Sequence, residues 1–453
     1  MESCILSTGV LQYQADKACS GYTLYSPMRQ KVTYLIDMEG YIVKEWKHDC
    51  APGLFSVLLE NGHLLRGGLK TPKYTEHGGE GGCIQEFDWD GNLVWEYVHY
   101  APESCQHHSF KRCKNGNTLV LCWKRHSWDE ARQKGRLEQN IPEGENDGLW
   151  ASFIEEVSPE GKVVWTWDMW DHAGEGPDEL NINYVVGNKY YMQGFFDWAH
   201  INNVDDVPEH NEILLCSRSF GEILFVDKAT GKITYRFGNP AAYGQGRNPS
   251  FLDPGDQEFF GPHCATWLGN GKVLLFDNGW MHPLGNRSRI VELDRTCNAI
   301  TWQWTSPSPN SFSSPIQSSV QMLPNGNVLA CATEHGHFIE VVPNRKSSLS
   351  EENTDVPAAL GSVPGGGEIA WEFINPATRL GCRAVLTDKT ETRADTTNAV
   401  HRAHRYTADH PALQGRNLSR KRPFMETCPE GPWKKWQNLL SMESHTENSE
   451  KAD

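Results

Sequence analysis

One short pattern recurs along the chain and leaves few folds open to it. An apolar stretch alternating with period two reaches a turn carrying Gly or Asn, and a second such stretch follows, usually ending in Trp and another aromatic. It reads LIDMEGYIVKEW (35–46), EFDWDGNLVWEY (86–97), EVSPEGKVVWTW (156–167), FVDKATGKITYRF (225–237), ELDRTCNAITWQW (292–304) and GGGEIAWEF (365–373). The turn residues Gly40, Gly91, Gly161, Gly231, Asn298 and Gly367 are 51, 70, 70, 67 and 69 residues apart. Self-similarity at a nearly fixed period indicates stacked or radial units.

A second hairpin follows most copies: SVLLENGHLLRGG, SFKRCKNGNTLVLCW, NNVDDVPEHNEILLCSR, ATWLGNGKVLLFDNG and SVQMLPNGNVLACATE. Asn-Gly between alternating apolar residues is a strong hairpin signal, because both positions tolerate positive φ. Two hairpins per unit make a four-stranded blade, and six radial units make an all-β, six-bladed β-propeller with four-stranded antiparallel blades. A solenoid or a row of sandwiches is the rival, and four strands per period favours the propeller. Composition agrees, with Gly 41, Trp 17, Tyr 14 and Phe 17 supplying turns and sheet-packing aromatics. The expected layout is a lead-in at 1–20, the propeller at 21–416 with a disordered insertion at 343–367, and a disordered tail at 417–453. Tryptophans 46, 95, 165, 302 and 371 are expected to pack between blades.

The formal charge of −16 and a pI near 5.6 exclude a non-specific binder of nucleic acid or anionic membrane. No apolar run is long enough to span a bilayer, and the start lacks a signal-peptide pattern, so a soluble cytoplasmic protein is expected. Thirteen cysteines without a C-x-x-C pair suggest mostly buried free thiols.

Just before each second hairpin the residues turn polar: Gln106-His107-His108, His200-Ile201-Asn202, Pro262-His263 and Ile316-Gln317-Ser318, with NAVHRAHRY (398–406) as a corresponding piece of the final blade. A lone histidine at a strand start is ordinarily a structural residue. Recurrence at equivalent positions brings these residues to one mouth of a central channel. There His107, His108, His200 and His263 are candidate catalytic groups, and Asn202, Arg218, Arg289, Gln317, Arg402 and Arg405 are candidate substrate-binding groups. Neutral imidazole serves as base or nucleophile near pH 7, and the guanidinium fork suits a tetrahedral oxyanion, so a small anionic or aromatic substrate is expected. A metal site of Cys105, His107, His108 and Cys113 is disfavoured, because alternation along a strand separates His107 from His108 and no second cluster completes the ligands.

These stretches resemble the arylsulfotransferase (aryl-sulfate sulfotransferase) β-propellers. The similarity is carried by GYTLYSP with TYLIDMEGYIVKEW, by DWAHINNVDDVPEHNEILLCSR, by GPHCATWLGNGKVLLFDNG with SRIVELD, by QMLPNGNVLACATEHGHFIEV, and by NAVHRAHRYTADHPAL. It implies a six-bladed propeller that moves a sulfuryl group from an aryl sulfate ester to a phenolic or other hydroxyl acceptor, through a sulfated histidine. It also implies no cofactor, with phosphoadenosine-phosphosulfate not required. His200 and His263 match sulfate-site histidines of the family, whereas Pro315, Ile316 and Gln317 stand where the family carries its sulfated histidine. A lyase or hydrolase using the same His/Arg mouth, and a non-catalytic binding propeller, are the alternatives.

Overall fold

The computed structural model describes residues 8–424 apart from 75–77, 80, 143–147, 175, 177, 186–195, 284, 286, 309–310, 346–364 and 378–397. Most of the expected insertion and most of the expected tail lie outside these residues. Six antiparallel sheets, three of four strands and three of five, form a six-bladed propeller. The single α-helix among the described residues, Trp128–Gln133, is started by a capping box between Ser127 and Glu130. Among the described residues no helix is long and apolar enough to cross a membrane.

Each blade begins with an innermost strand that runs away from the mouth. In blades 2 to 6 these are Pro52–Leu58, Ser104–Arg112, Ile201–Val207, His263–Gly269 and Ser319–Met322. Blade 1 borrows its innermost strand, Val400–Tyr406, from the far end of the chain. That strand pairs with Tyr22–Pro27 in the register Tyr22 to Tyr406 and Leu24 to His404. The expected piece of a final blade therefore closes the ring on the first one. The expected lead-in also belongs to the fold, since Gly9–Tyr13 adds a fifth strand to blade 6, and Arg422–Pro423 pairs with Tyr41–Lys47 of blade 1.

Adjacent blades are latched by their outer aromatics. Trp46 of blade 1 donates its indole N–H to the Asp88 carbonyl of blade 2 at 3.3 Å. Trp165 reaches Lys228 at 2.9 Å, Trp302 reaches Gly366 at 3.2 Å, and Trp371 of blade 6 reaches Met38 of blade 1 at 2.8 Å. Blade 4 has Tyr235 at this place, and its hydroxyl donates to Asn298 Oδ1 at 2.8 Å. Each ring fills the gap between two sheets while its polar tip satisfies a turn of the next blade, a backbone carbonyl for the indoles and a side-chain oxygen for Tyr235. Trp46, Trp302 and Trp371 are fully buried, whereas Trp95 and Trp165 are partly exposed.

The innermost strands share one further feature. Leu54, His108, His200, Cys264 and Ser318, one near the start of that strand in each of five blades, all have positive φ. The pairing register shifts beside the first four. A bulge of this kind re-aims side chains at a sheet edge, and for residues other than glycine the conformation is costly. Here it turns the strand entrances of separate blades towards the channel.

Candidate active site at the channel mouth

The bulges bring imidazoles from four blades together. His108 of blade 3 meets His200 of blade 4 edge to face, with ring centroids 4.6 Å apart. Burial, followed by the charges that His200, His107, His401 and His263 would carry, holds His108 well below the ordinary histidine range. His263 is held low by burial and then by the Arg218 charge, and His401 by burial and then by Arg402. These three rings are therefore neutral imidazoles near pH 7.

Alternation does not separate His107 from His108. The positive φ of His108 breaks the two-residue period, and the two Nδ1 atoms lie 2.8 Å apart, sharing one proton between them. His107 stacks flat on Trp123 at a centroid distance of 3.8 Å. The indole N–H of Trp123 donates to Asp197 Oδ1 at 3.2 Å. The other oxygen of Asp197 accepts from His200 Nδ1 in a short bond. Carboxylate and imidazole are both buried, at 0% and 3% side-chain exposure, so the pair is shielded from bulk water. Such a bond fixes the Nδ1–H tautomer and leaves the Nε2 lone pair outward. Among the described residues Nε2 has no hydrogen-bond partner.

His263 is committed on both sides. Its Nδ1 donates towards Asn278 Oδ1 at 2.7 Å and the Gly261 carbonyl at 3.0 Å, while its Nε2 accepts the Gln317 backbone N–H at 3.2 Å. His401 was not singled out from the sequence. Its Nε2 accepts from Arg402 Nε at 3.3 Å, so its proton sits on Nδ1, a buried donor without a partner among the described residues.

Residues one to three positions beyond the ring histidines build the layer beneath. Arg402 of blade 1 crosses the channel to Asn203 Oδ1 of blade 4 at 2.8 Å, and its guanidinium lies 4.1 Å above the Phe55 ring. Asn203 also accepts from Ser109 Oγ at 3.3 Å and donates to the Ala265 carbonyl. This layer ties blades 1, 3, 4 and 5 together beneath the histidines. Arg218 sits at the wall, 4.2 Å from the Trp280 ring, with its backbone N–H bonded to the His200 carbonyl at 3.1 Å. Burial lowers Arg218 to about 10, which leaves it charged at neutral pH.

The arylsulfotransferase (ASST) family model matches residues 10–357. The chain belongs to the arylsulfotransferase family. No curated protein matches it. Among solved structures it is similar to a protein of unknown function from Bacteroides caccae, at 12% identity and a TM-score of 0.44, covering 71% of this chain and 90% of that one. It is also similar to a streptogramin B lyase, at 12% identity and a TM-score of 0.38, covering 74% of this chain and 83% of that one. A virginiamycin B lyase from Staphylococcus aureus matches at 11% identity and a TM-score of 0.37, covering 75% and 86%.

In this arylsulfotransferase-family propeller the candidate residues divide cleanly. His107, His108, His200, His263, Arg218 and Arg402 converge. Asn202 lies beside them, fully buried, tying blade 4 to blade 5 through the Pro262 carbonyl at 2.8 Å. Gln317 contributes its backbone N–H. Two arginines fall elsewhere. Arg289 is an outer-strand residue paired with Asp277 at 2.8 Å and with Gln303 Oε1 at 3.0 Å. Arg405 points between blades 1 and 6, where it pairs with the fully buried Glu340 at 3.2 Å and donates to Thr23 Oγ1 at 2.7 Å. Both guanidiniums already have their carboxylates. The four residues of the disfavoured metal reading do not converge, since Cys113 packs with Leu119 and Trp167 while Cys105 packs with Trp123 and Trp150.

Asp197 and His401 are the functional candidates that sequence reasoning missed. Asp197 was visible as the first residue of DWAHIN, and His401 as the neighbour of Arg402.

Proposed function

We propose that the protein transfers a sulfuryl group from an aryl sulfate ester to a phenolic or other hydroxyl acceptor, with His200 as the nucleophile and without phosphoadenosine-phosphosulfate. The observation that carries this reading is the buried Asp197–His200 pair, with His108 edge to face on the His200 ring. His200 Nε2 forms the bond to sulfur as the sulfur–aryloxide bond breaks. The imidazole becomes cationic, and Asp197 stabilises that charge through Nδ1–H. Arg218, Arg402 and the unpaired Nδ1–H of His401 are suited to the sulfate oxygens, on which the negative charge rests throughout. The aryloxide leaves as the anion and takes its proton from solvent; the neutral His107–His108 pair then takes the proton of the acceptor hydroxyl as that oxygen attacks sulfur, which restores His200, and returns the proton to solvent.

His263, the other family-matched histidine, is a positioning residue in this reading. Its Nε2 lone pair is engaged by the Gln317 N–H, so it is less suited to attack.

The test uses 4-nitrophenyl sulfate with a phenol acceptor. Nitrophenol should appear in a burst matching the enzyme concentration, and quenched protein should carry a sulfuryl group on the peptide containing His200. His200→Ala should lose both. Turnover with the adduct on another histidine, or with no adduct at all, would refute the assignment.

A further inference from the structure

Blade 2 contains a fully buried arginine that has no carboxylate. Arg66, on the strand Leu64–Leu69, donates from Nη1 to Gln85 Oε1 at 2.7 Å and to Cys50 Sγ at 3.5 Å, and from Nη2 to the Cys50 carbonyl at 3.1 Å. Its Nε is buried without a partner. A guanidinium does not lose its proton in proteins, and a buried charge left without a counter-charge is strongly disfavoured. Among the described residues the only anion-forming group bonded to Arg66 is a cysteine sulfur.

A second thiol adjoins the first. Cys83, on the neighbouring strand, faces the same glycine as Cys50. A Cβ placed on Gly68 would lie 2.6 Å from Cys83 Sγ and 3.1 Å from Cys50 Sγ, so a glycine is required there for both sulfurs to fit. Cys83 is buried and its Sγ also reaches the Gly68 carbonyl at 3.4 Å, whereas Cys50 is partly exposed. The neighbouring Cys83 thiol does most to hold the Cys50 thiol below the usual thiol range, with burial opposing it and the Arg66 and Lys70 charges assisting. The Cys50 thiol, with burial, pushes Cys83 up. Of the other charged or titratable groups nearby, Glu96 is held by Lys70 and by Gln85 Nε2, and burial keeps His48 neutral. The pair is thus divided into a reachable anion and a sheltered neutral thiol.

We propose that Cys50 and Cys83 form a hydroperoxide-reactive dithiol, with Cys50 as the attacking thiolate and Cys83 as the resolving thiol. The Cys50 thiolate attacks one oxygen of the peroxide. A sulfur–oxygen bond forms as the oxygen–oxygen bond breaks, and the departing hydroxide takes a proton from solvent to become water. The Cys83 thiol then attacks the Cys50 sulfenic acid, forming the disulfide and releasing a second water that carries the Cys83 proton. Two electrons have passed from the thiols to the peroxide.

The experiment treats the full chain with one equivalent of hydrogen peroxide and maps cysteines by mass spectrometry, with the exposed Cys297 as internal control. The Cys50 and Cys83 peptides should become linked with loss of two hydrogens and should separate on reduction. In Cys83→Ser, dimedone should trap a sulfenic acid on Cys50. Alkylation of Cys50 should show a pH midpoint below that of Cys297, and Arg66→Gln should raise that midpoint. Should Arg66→Gln not fold, the wild-type profile decides alone. A Cys50 midpoint at or above that of Cys297, or oxidation of Cys297 before Cys50, overturns the proposal.

Discussion

Asp197 gives His200 its orientation, and that makes it the residue whose replacement is most informative. Asp197→Asn keeps an oxygen for the Trp123 indole but presents an amide or an uncharged oxygen to His200 Nδ1. The expected loss in kcat is roughly a hundred- to ten-thousand-fold with little change in KM, measured on a chromogenic aryl sulfate. The neutral ring histidines also make a prediction about acid. His108, His263 and His401 are held well below 6.5 by burial, and His404 is lowered to about 3. Below about pH 6.5 the unfolded chain takes up protons that the folded one refuses. Stability is therefore full above that pH and is lost as pH falls, by up to roughly 1.4 kcal/mol per pH unit for each such histidine. A urea midpoint unchanged between about pH 7 and pH 5 would contradict this. His108, His200 and His263 were legible in the sequence because they recur at one place in the blade pattern. Arg289 and Arg405 were misleading for a physical reason. A cation near a strand end looks the same whether it faces an open pocket or a carboxylate such as Asp277 or Glu340, and that carboxylate comes from another part of the chain.

At the scale of strands and turns, the hairpins were readable because Asn-Gly and Asp-Gly turns declare themselves locally. The bulges were not, since Leu54, Cys264 and Ser318 have no composition that announces positive φ. Their conformation is imposed by the sheets on either side. For the same reason alternation failed at His107 and His108. Gly79 shows how closely a neighbouring loop supports this geometry: its carbonyl accepts the His108 N–H at 2.8 Å, and a Cβ at position 79 would lie 2.0 Å from the His108 ring. With φ at +86°, Gly79→Ala is strained as well as crowded. It should displace His108, lowering turnover more than it lowers the thermal midpoint, as comparison of kcat with calorimetry will show. The outer latches lend themselves to a stability test. Trp371→Phe retains most of the ring but strands the Met38 carbonyl, and it should cost about 1–2 kcal/mol in denaturant unfolding. An equal effect from Trp95→Phe, whose indole makes no such bond among the described residues, would argue that the hydrogen bond is immaterial.

For the molecule as a whole, six blades were countable from the spacing of the turns, yet the way the circle shuts was not. Nothing local in NAVHRAHRY says that it pairs with residues near the other end of the chain, and nothing in Gly9–Tyr13 says that it joins the sixth sheet. Closure therefore uses both ends, and the Trp371–Met38 bond repeats across the join the contact that links other blades. Ending the chain before Val400 should leave blade 1 without its innermost strand. The product should unfold at lower temperature and lose sulfuryl transfer entirely, whereas ending it after Phe424 should spare both; the two can be compared by calorimetry and by nitrophenol release. Because Arg402 lies beneath the histidines and follows the strands of blades 2 to 6 in the chain, a ribosome must deliver all of those before the layer can form. On the proposed reading, transfer waits on the strand Val400–Tyr406, which brings both His401 and Arg402.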